Sequence, residues 1–231
     1  MTPRRIERYL EILAKELGRP ARAYLPGAAA AALWGRVRPS VDIDLGLELR
    51  GVGRGSGPAS WETIQQAVDR TTRLTGIPAS VAGDIDRWGM ITLLDYRRSS
   101  RLFRRFGKLE VRLLHPVNWS IGKLTRCLDP DIFDVMAVFR YQAVPWTRAA
   151  RTWGVALRAS PASTSQFQFR RNVEAFFARR GRAVWGKAFD ADIAIHKFQK
   201  AAEIRTHQSL PSLPAQFPPK PKPKSRPHVS S

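Results

Sequence analysis

The chain has 231 residues, 43% of them hydrophobic, which is enough for a real core in one domain with an extension or in two small domains and excludes disorder throughout. Its 39 lysines and arginines against 19 acidic residues give a formal net charge of +20, so a polyanion is the expected partner, nucleic acid first, with a merely solvated arginine-rich surface as the alternative. A lone cysteine, Cys127, excludes a disulfide framework and a cysteine-rich zinc site, and no apolar run approaches the ~20 residues of a membrane span, so the expectation is a cytoplasmic protein with no membrane partner.

In chain order, residues 5–17 place Ile6, Leu10, Leu13 and Leu17 on one helical face, and Gly18 with Pro20 ends that helix. ARAYLPG reads as a short strand running into a turn. Residues 28–34 favour helix, Gly35 stops it, and VDIDLGLEL alternates with the period of a strand. A glycine-rich stretch, GVGRGSGPAS, precedes an amphipathic helix over residues 60–76, with Ser60 as its N-cap. Residues 88–96 and 108–114 are the next strand candidates, separated by a basic ribbon or turn, RRSSRLFRRFGK. Residues 116–139 read as helical with an interruption at Asp129 and Pro130. Beyond Gln142 come basic helices rich in aromatic residues, and the chain ends in a Pro/Lys-rich tail that cannot bury a core. The fold class is α+β: a small mixed sheet flanked by helices over residues 1–140, a helical basic region over 141–207, and a disordered tail over 208–231.

Four features carry chemistry. Asp42 and Asp44, two apart in a strand, project from the same face, and two such carboxylates hold magnesium while leaving sites for water and phosphate oxygens; the spacing is also that of a solvent-facing pair at a sheet edge. Gly27 sits at a strand-to-helix turn whose exposed N–H groups suit a phosphate, with Arg36 and Arg38 as nearby cations. In KLEVRLL, Glu110 alternates with buried residues and offers a third carboxylate, as metal ligand or general base; pairing with Lys108 or Arg112 on the surface is the competing reading. Lys123 lies in an amphipathic helix ahead of Asp131 and Asp134, which share a face, and either binds a triphosphate or is held by one of those aspartates.

Together these residues resemble the nucleotidyltransferase superfamily with the polymerase-beta-like fold, and within it the AbiEii toxin-like branch, over roughly residues 5–140. The matching stretches are Leu25-Pro26-Gly27-Ala28, then Asp42-Ile43-Asp44 within LWGRVRPSVDIDL, then the Lys123 helix with its paired aspartates. Ala28 stands where the family usually has glycine or serine. The resemblance implies transfer of a nucleoside monophosphate from an NTP to a hydroxyl on RNA or tRNA, with pyrophosphate leaving. It assigns Asp42, Asp44 and Glu110 to Mg2+ or Mn2+ and to catalysis, and Gly27, Ala28, Arg38, Ser40 and Lys123 to the nucleotide. It further implies an antitoxin protein as partner. The alternative is a catalytically inactive member of the same fold that binds nucleic acid or protein.

Overall fold

The computed structural model describes residues 1–34, 41–51 and 58–204. The architecture is α+β: a five-stranded mixed sheet in the order β3-β2-β1-β7-β6, with helices before, between and after the strands.

Helix α1 (Pro3–Leu17) buries Ile6, Tyr9, Leu10, Leu13 and Leu17 and stops at Gly18, whose φ of 63° is the left-handed geometry glycine adopts without strain. The chain returns as β1 (Ala21–Leu25), turns at Gly27 into α2 (Ala28–Leu33), and re-enters as β2 (Ile43–Leu49). β2 runs antiparallel to β1. Helix α3 (Pro58–Thr75) then leads into β3 (Ala79–Ala82), parallel to β2 at the sheet edge. Ser60, expected as the N-cap of this helix, lies inside it instead, because Pro58 opens it two residues earlier.

Residues 88–96 do not form one strand. Gly89 and Met90 both adopt positive φ and fold the segment into a two-stranded hairpin of β4 (Arg87–Trp88) and β5 (Ile91–Thr92), and Tyr96 opens a short helix, α4 (Tyr96–Ser99). The basic ribbon is a true strand, β6 (Arg101–Phe106), joined through Gly107 to β7 (Leu109–Leu113), beside which it forms the other edge of the sheet. β7 is parallel to β1, its partner on the other side.

Alternation gives the sheet two different faces. Ala21, Ala23, Leu25, Ile43, Leu45, Leu47, Leu49, Leu109, Val111 and Leu113 are all buried and join α1 and α2 in one core. The opposite face carries Arg22, Tyr24, Asp44, Glu48, Glu110 and Arg112, and at its centre Gly46 admits Ile85, whose side chain would lie 3.0 Å from a Cβ there.

Helix α5 (Pro116–Arg126) ends at Cys127, in the left-handed region at φ 55°, and α6 (Asp129–Tyr141) begins with Pro130 in its first turn. The expected interruption therefore falls at residues 127 and 128, and Pro130 starts the second helix rather than breaking one. The remaining helices are α7 (Trp146–Arg158), α8 (Thr164–Trp185) and α9 (Ala191–Ala201). Their core runs across residue 140: Trp153 stacks on Phe139 at 5.7 Å and its indole donates to Ser120 Oγ, and Asn172 Nδ2 donates to Leu124 O at 2.8 Å. α5 and α6 thus pack against the helical region that follows them. The tail over 208–231 lies outside the described residues.

Candidate functional site

The register of β1 and β2 decides what meets the glycine turn. Tyr24 is opposite Gly46, so two residues further on Asp44 falls beside Pro26 and Gly27. The approach is close enough that a Cβ at Gly27 would lie 2.1 Å from Asp44 Oδ2, inside any allowed contact. Gly27 has an ordinary extended φ, so the requirement is for space, not for a left-handed backbone. Asp42 is not in the strand, which begins at Ile43; it occupies the bend just before, half-buried and near enough for its charge to act on Asp44.

Helix α5 closes the site. Trp119 is buried, its indole N–H donates to Gly27 O at 2.9 Å, and Trp34 meets its ring edge-on at 5.2 Å. One turn later, Lys123 is 3% exposed, with its ammonium 5.6 Å from the Trp119 ring centre and donating to Asp131 Oδ1 at 3.0 Å and Asp134 Oδ2 at 2.8 Å. Arg126, half exposed, grips Asp131 with two nitrogens, Nε to Oδ2 at 3.2 Å and Nη2 to Oδ1 at 2.9 Å. The Cys127 bend makes this contact, because it folds the first turn of α6 back onto the last turns of α5.

The electrostatics follow from these contacts. Burial raises the Asp44 carboxyl above the ordinary range and the Asp42 charge raises it further, while Arg126 and Lys123 pull it down less strongly. At Asp131 burial acts in the same upward sense, but hydrogen bonds from Arg126 and Lys123 overcome it and the carboxyl is held low. Lys123 is therefore neutralised within the chain and does not reach toward a ligand. Arg126 is the half-exposed cation beside the acidic pair, a role its i, i+3 spacing from Lys123 signals in the sequence.

Glu110 does not join the pair. β7 registers it with Arg22, which in turn faces Glu48, four residue rows from Asp44 and so on the order of 13 Å away along the strands. There it is buried among guanidiniums: Arg112 Nη1 at 2.9 Å, Arg22 Nε at 3.0 Å, Arg105 Nη2 at 3.4 Å and Arg50 Nη1 at 3.6 Å. The hydrogen bond from Arg112, with Arg22 and Arg105, holds its carboxyl below the usual range against the effect of burial. The end of β7 that reaches the glycine turn carries Leu113, Leu114 and His115 instead. The expected third carboxylate is thus a structural anion at the far end of the same sheet face. Among the described residues there is no group of three or more His, Cys, Asp or Glu arranged to hold a metal.

Gly27, Asp42, Asp44 and Lys123 do come together, and half-buried Ala28 opens α2 beside them. Arg36, Arg38 and Ser40 lie outside the described residues. The donor set of two carboxylates suits magnesium, which takes one or two protein carboxylates and completes its shell with water and substrate phosphates. A half-buried carboxylate with a raised pKa, packed where only glycine leaves room for it, fits such an ion. No protein-family model, curated protein or solved structure matches the chain.

Proposed function

We propose that the chain is a metal-dependent nucleotidyltransferase that moves a nucleoside monophosphate from an NTP to a hydroxyl of RNA, and that it acts as the toxin of a toxin–antitoxin pair. The observation that supports this reading is the seating of Asp44 directly on Gly27, with Asp42 and Arg126 near enough for their charges to act on it. Asp42 and Asp44 would hold Mg2+ or Mn2+, which when bound neutralises phosphate charge and orients the triphosphate. Gly27 leaves the space in which the Asp44 carboxylate rests. Arg126, fixed in the plane of the Asp131 carboxylate, offers its remaining donors to a phosphate. Lys123 is a positioning residue: it ties α6 to α5 and so keeps Trp119 on the glycine turn. With Glu110 held elsewhere, acceptance of the proton from the attacking hydroxyl falls to Asp42 or Asp44.

The test is incubation with each labelled nucleoside triphosphate, Mg2+ or Mn2+, and total RNA. The expected result is label transfer by the wild type and none by Asp42→Ala/Asp44→Ala; absence of transfer with all four nucleotides overturns the reading. A second reading, a silent member of the same fold that binds RNA or protein, is favoured by the displacement of Glu110 and by Ala28. It predicts RNA binding that needs no divalent ion and survives loss of both aspartates.

A further inference from the structure

On the other flank of α5 lies a cleft of about 270 Å³ between that helix, the segment leading into α4, and α7. Its walls include Asp95, Ser99, His115, Asn118, Arg148 and Arg151. Asn118 is rotated from Trp119 by about 100° around the helix, so this cleft and the acidic pair take different sides of the same element.

The buried wall is built and held. His115 is 8% exposed, and its Nδ1 accepts the Val117 N–H at 3.2 Å, which fixes the neutral ring with its proton on Nε2. Asn118, 4% exposed, donates to Leu94 O at 3.2 Å and Ser99 Oγ at 3.0 Å, locking helix to loop. The Nε2 of His115 makes no hydrogen bond within the described residues, and neither do the side chains of Arg148 and Arg151, one turn apart on α7. Elsewhere in this chain the arginines near the sheet face are matched by carboxylates, as around Glu110 and on the Arg97 pair with Glu48 and Asp84. Here two arginines and an imidazole N–H line one cleft, and among the described residues no carboxylate is ion-paired with them, Asp95 in the same wall included. Burial, with the charges of Arg148 and Arg101, pushes His115 down to about 4, so the ring stays a neutral donor beside those cations. Asp95, which holds a left-handed φ of 49°, stands at the rim as an acceptor suited to a hydroxyl or amino group.

We infer that this cleft is a phosphate-binding site, separate from the acidic pair, in which Arg148 and Arg151 clamp a phosphate group against the His115 Nε2–H. Two arginines and a fixed N–H donor match the oxygens of a phosphate. The volume accommodates a single phosphorylated sugar or nucleotide unit rather than a long chain. Inorganic phosphate, a terminal phosphomonoester and a backbone phosphodiester share this chemistry. The inference does not depend on nucleotidyl transfer.

The experiment follows the His115 imidazole resonances by NMR, identified by their loss in His115→Gln, while the full-length protein is titrated with inorganic phosphate. Parallel titrations use a short oligoribonucleotide with and without a 5′-phosphate. Saturable shifts are expected, with the half-saturation concentration raised at least tenfold in Arg148→Ser/Arg151→Ser and in the single charge reversal Arg151→Glu, and unchanged in Asp42→Ala/Asp44→Ala. Response to both oligonucleotides identifies the backbone diester as the source, and response only to the 5′-phosphorylated one identifies the monoester. The inference is overturned if His115 does not respond, if matched sodium chloride reproduces the shifts, or if the arginine variants titrate like the wild type.

Discussion

Asp44 and Glu110 sit on one face of one sheet, both in registers set by β1, and their surroundings drive them in opposite directions. Glu110 has four guanidiniums within 3.6 Å and is held ionised; Asp44 has backbone against it, a like charge beside it, and a raised pKa. Asp131 and Asp134 resemble Glu110, since Lys123 satisfies them in the core. A carboxylate that the chain has already neutralised supports the fold, and one left with excess negative charge is the place where an external cation gains most.

The contrast can be broken most forcefully at Lys123. Lys123→Met leaves Asp131 and Asp134 buried without their ammonium and should remove about 3–5 kcal/mol, read from urea unfolding, with loss of the Trp119 contact to the glycine turn. Next, Glu110→Gln turns four arginines loose on one another and should lower stability by about 2 kcal/mol while nucleotidyl transfer persists in the folded protein. Loss of transfer without loss of stability would restore Glu110 to the catalytic set. Because the folded pKa of Glu110 is lowered, its contribution is present above the unfolded carboxylate value and disappears as pH falls, so the gap between wild type and variant should close in acid.

Gly27→Ala presses on the Asp44 carboxylate and, at 3.1 Å, on its Cβ, so about 1–2 kcal/mol of stability is at stake, and the displaced carboxylate should lower transfer by ~100-fold in single-turnover assays. The smallest effect, and the one of opposite sign, belongs to Asp44→Asn. A raised folded pKa means stability that is present below the unfolded value and lost as pH rises, so at neutral pH the ionised wild type is the less stable form. In chelator-treated buffer the variant should melt slightly higher than wild type, the two should converge below about pH 4, and Mg2+ should raise the melting temperature of the wild type alone.

The sequence carried the helix–strand–helix–strand opening, because the period of α1, the turn at Gly27 and the alternation of β2 are local signals. It also carried a pairing of Lys123 with one of the two aspartates as one of two readings, while the contact with both emerges only from the fold. It could not place Glu110, whose alternation predicts a face but not a register; only the parallel pairing of β7 with β1 sets it against Arg22. The four-residue β3, in a segment of small residues and no strong period, left no signal, and the β4–β5 hairpin was hidden because Met90 takes a positive φ that its residue type does not advertise. His115 and Arg148 lie 33 positions apart, so the cleft they share is visible only after α7 folds over α5.

The edge strand β6 has a consequence for how copies of this chain meet. Its outer side offers backbone N–H and C=O groups with no partner strand among the described residues, the kind of template on which a second molecule adds a strand and aggregation begins. Arg101, Arg104 and Arg105 line that border, so two such edges approaching one another bring like charge against like charge before any ladder can form. The arginines that make the protein basic also keep its sheet from growing.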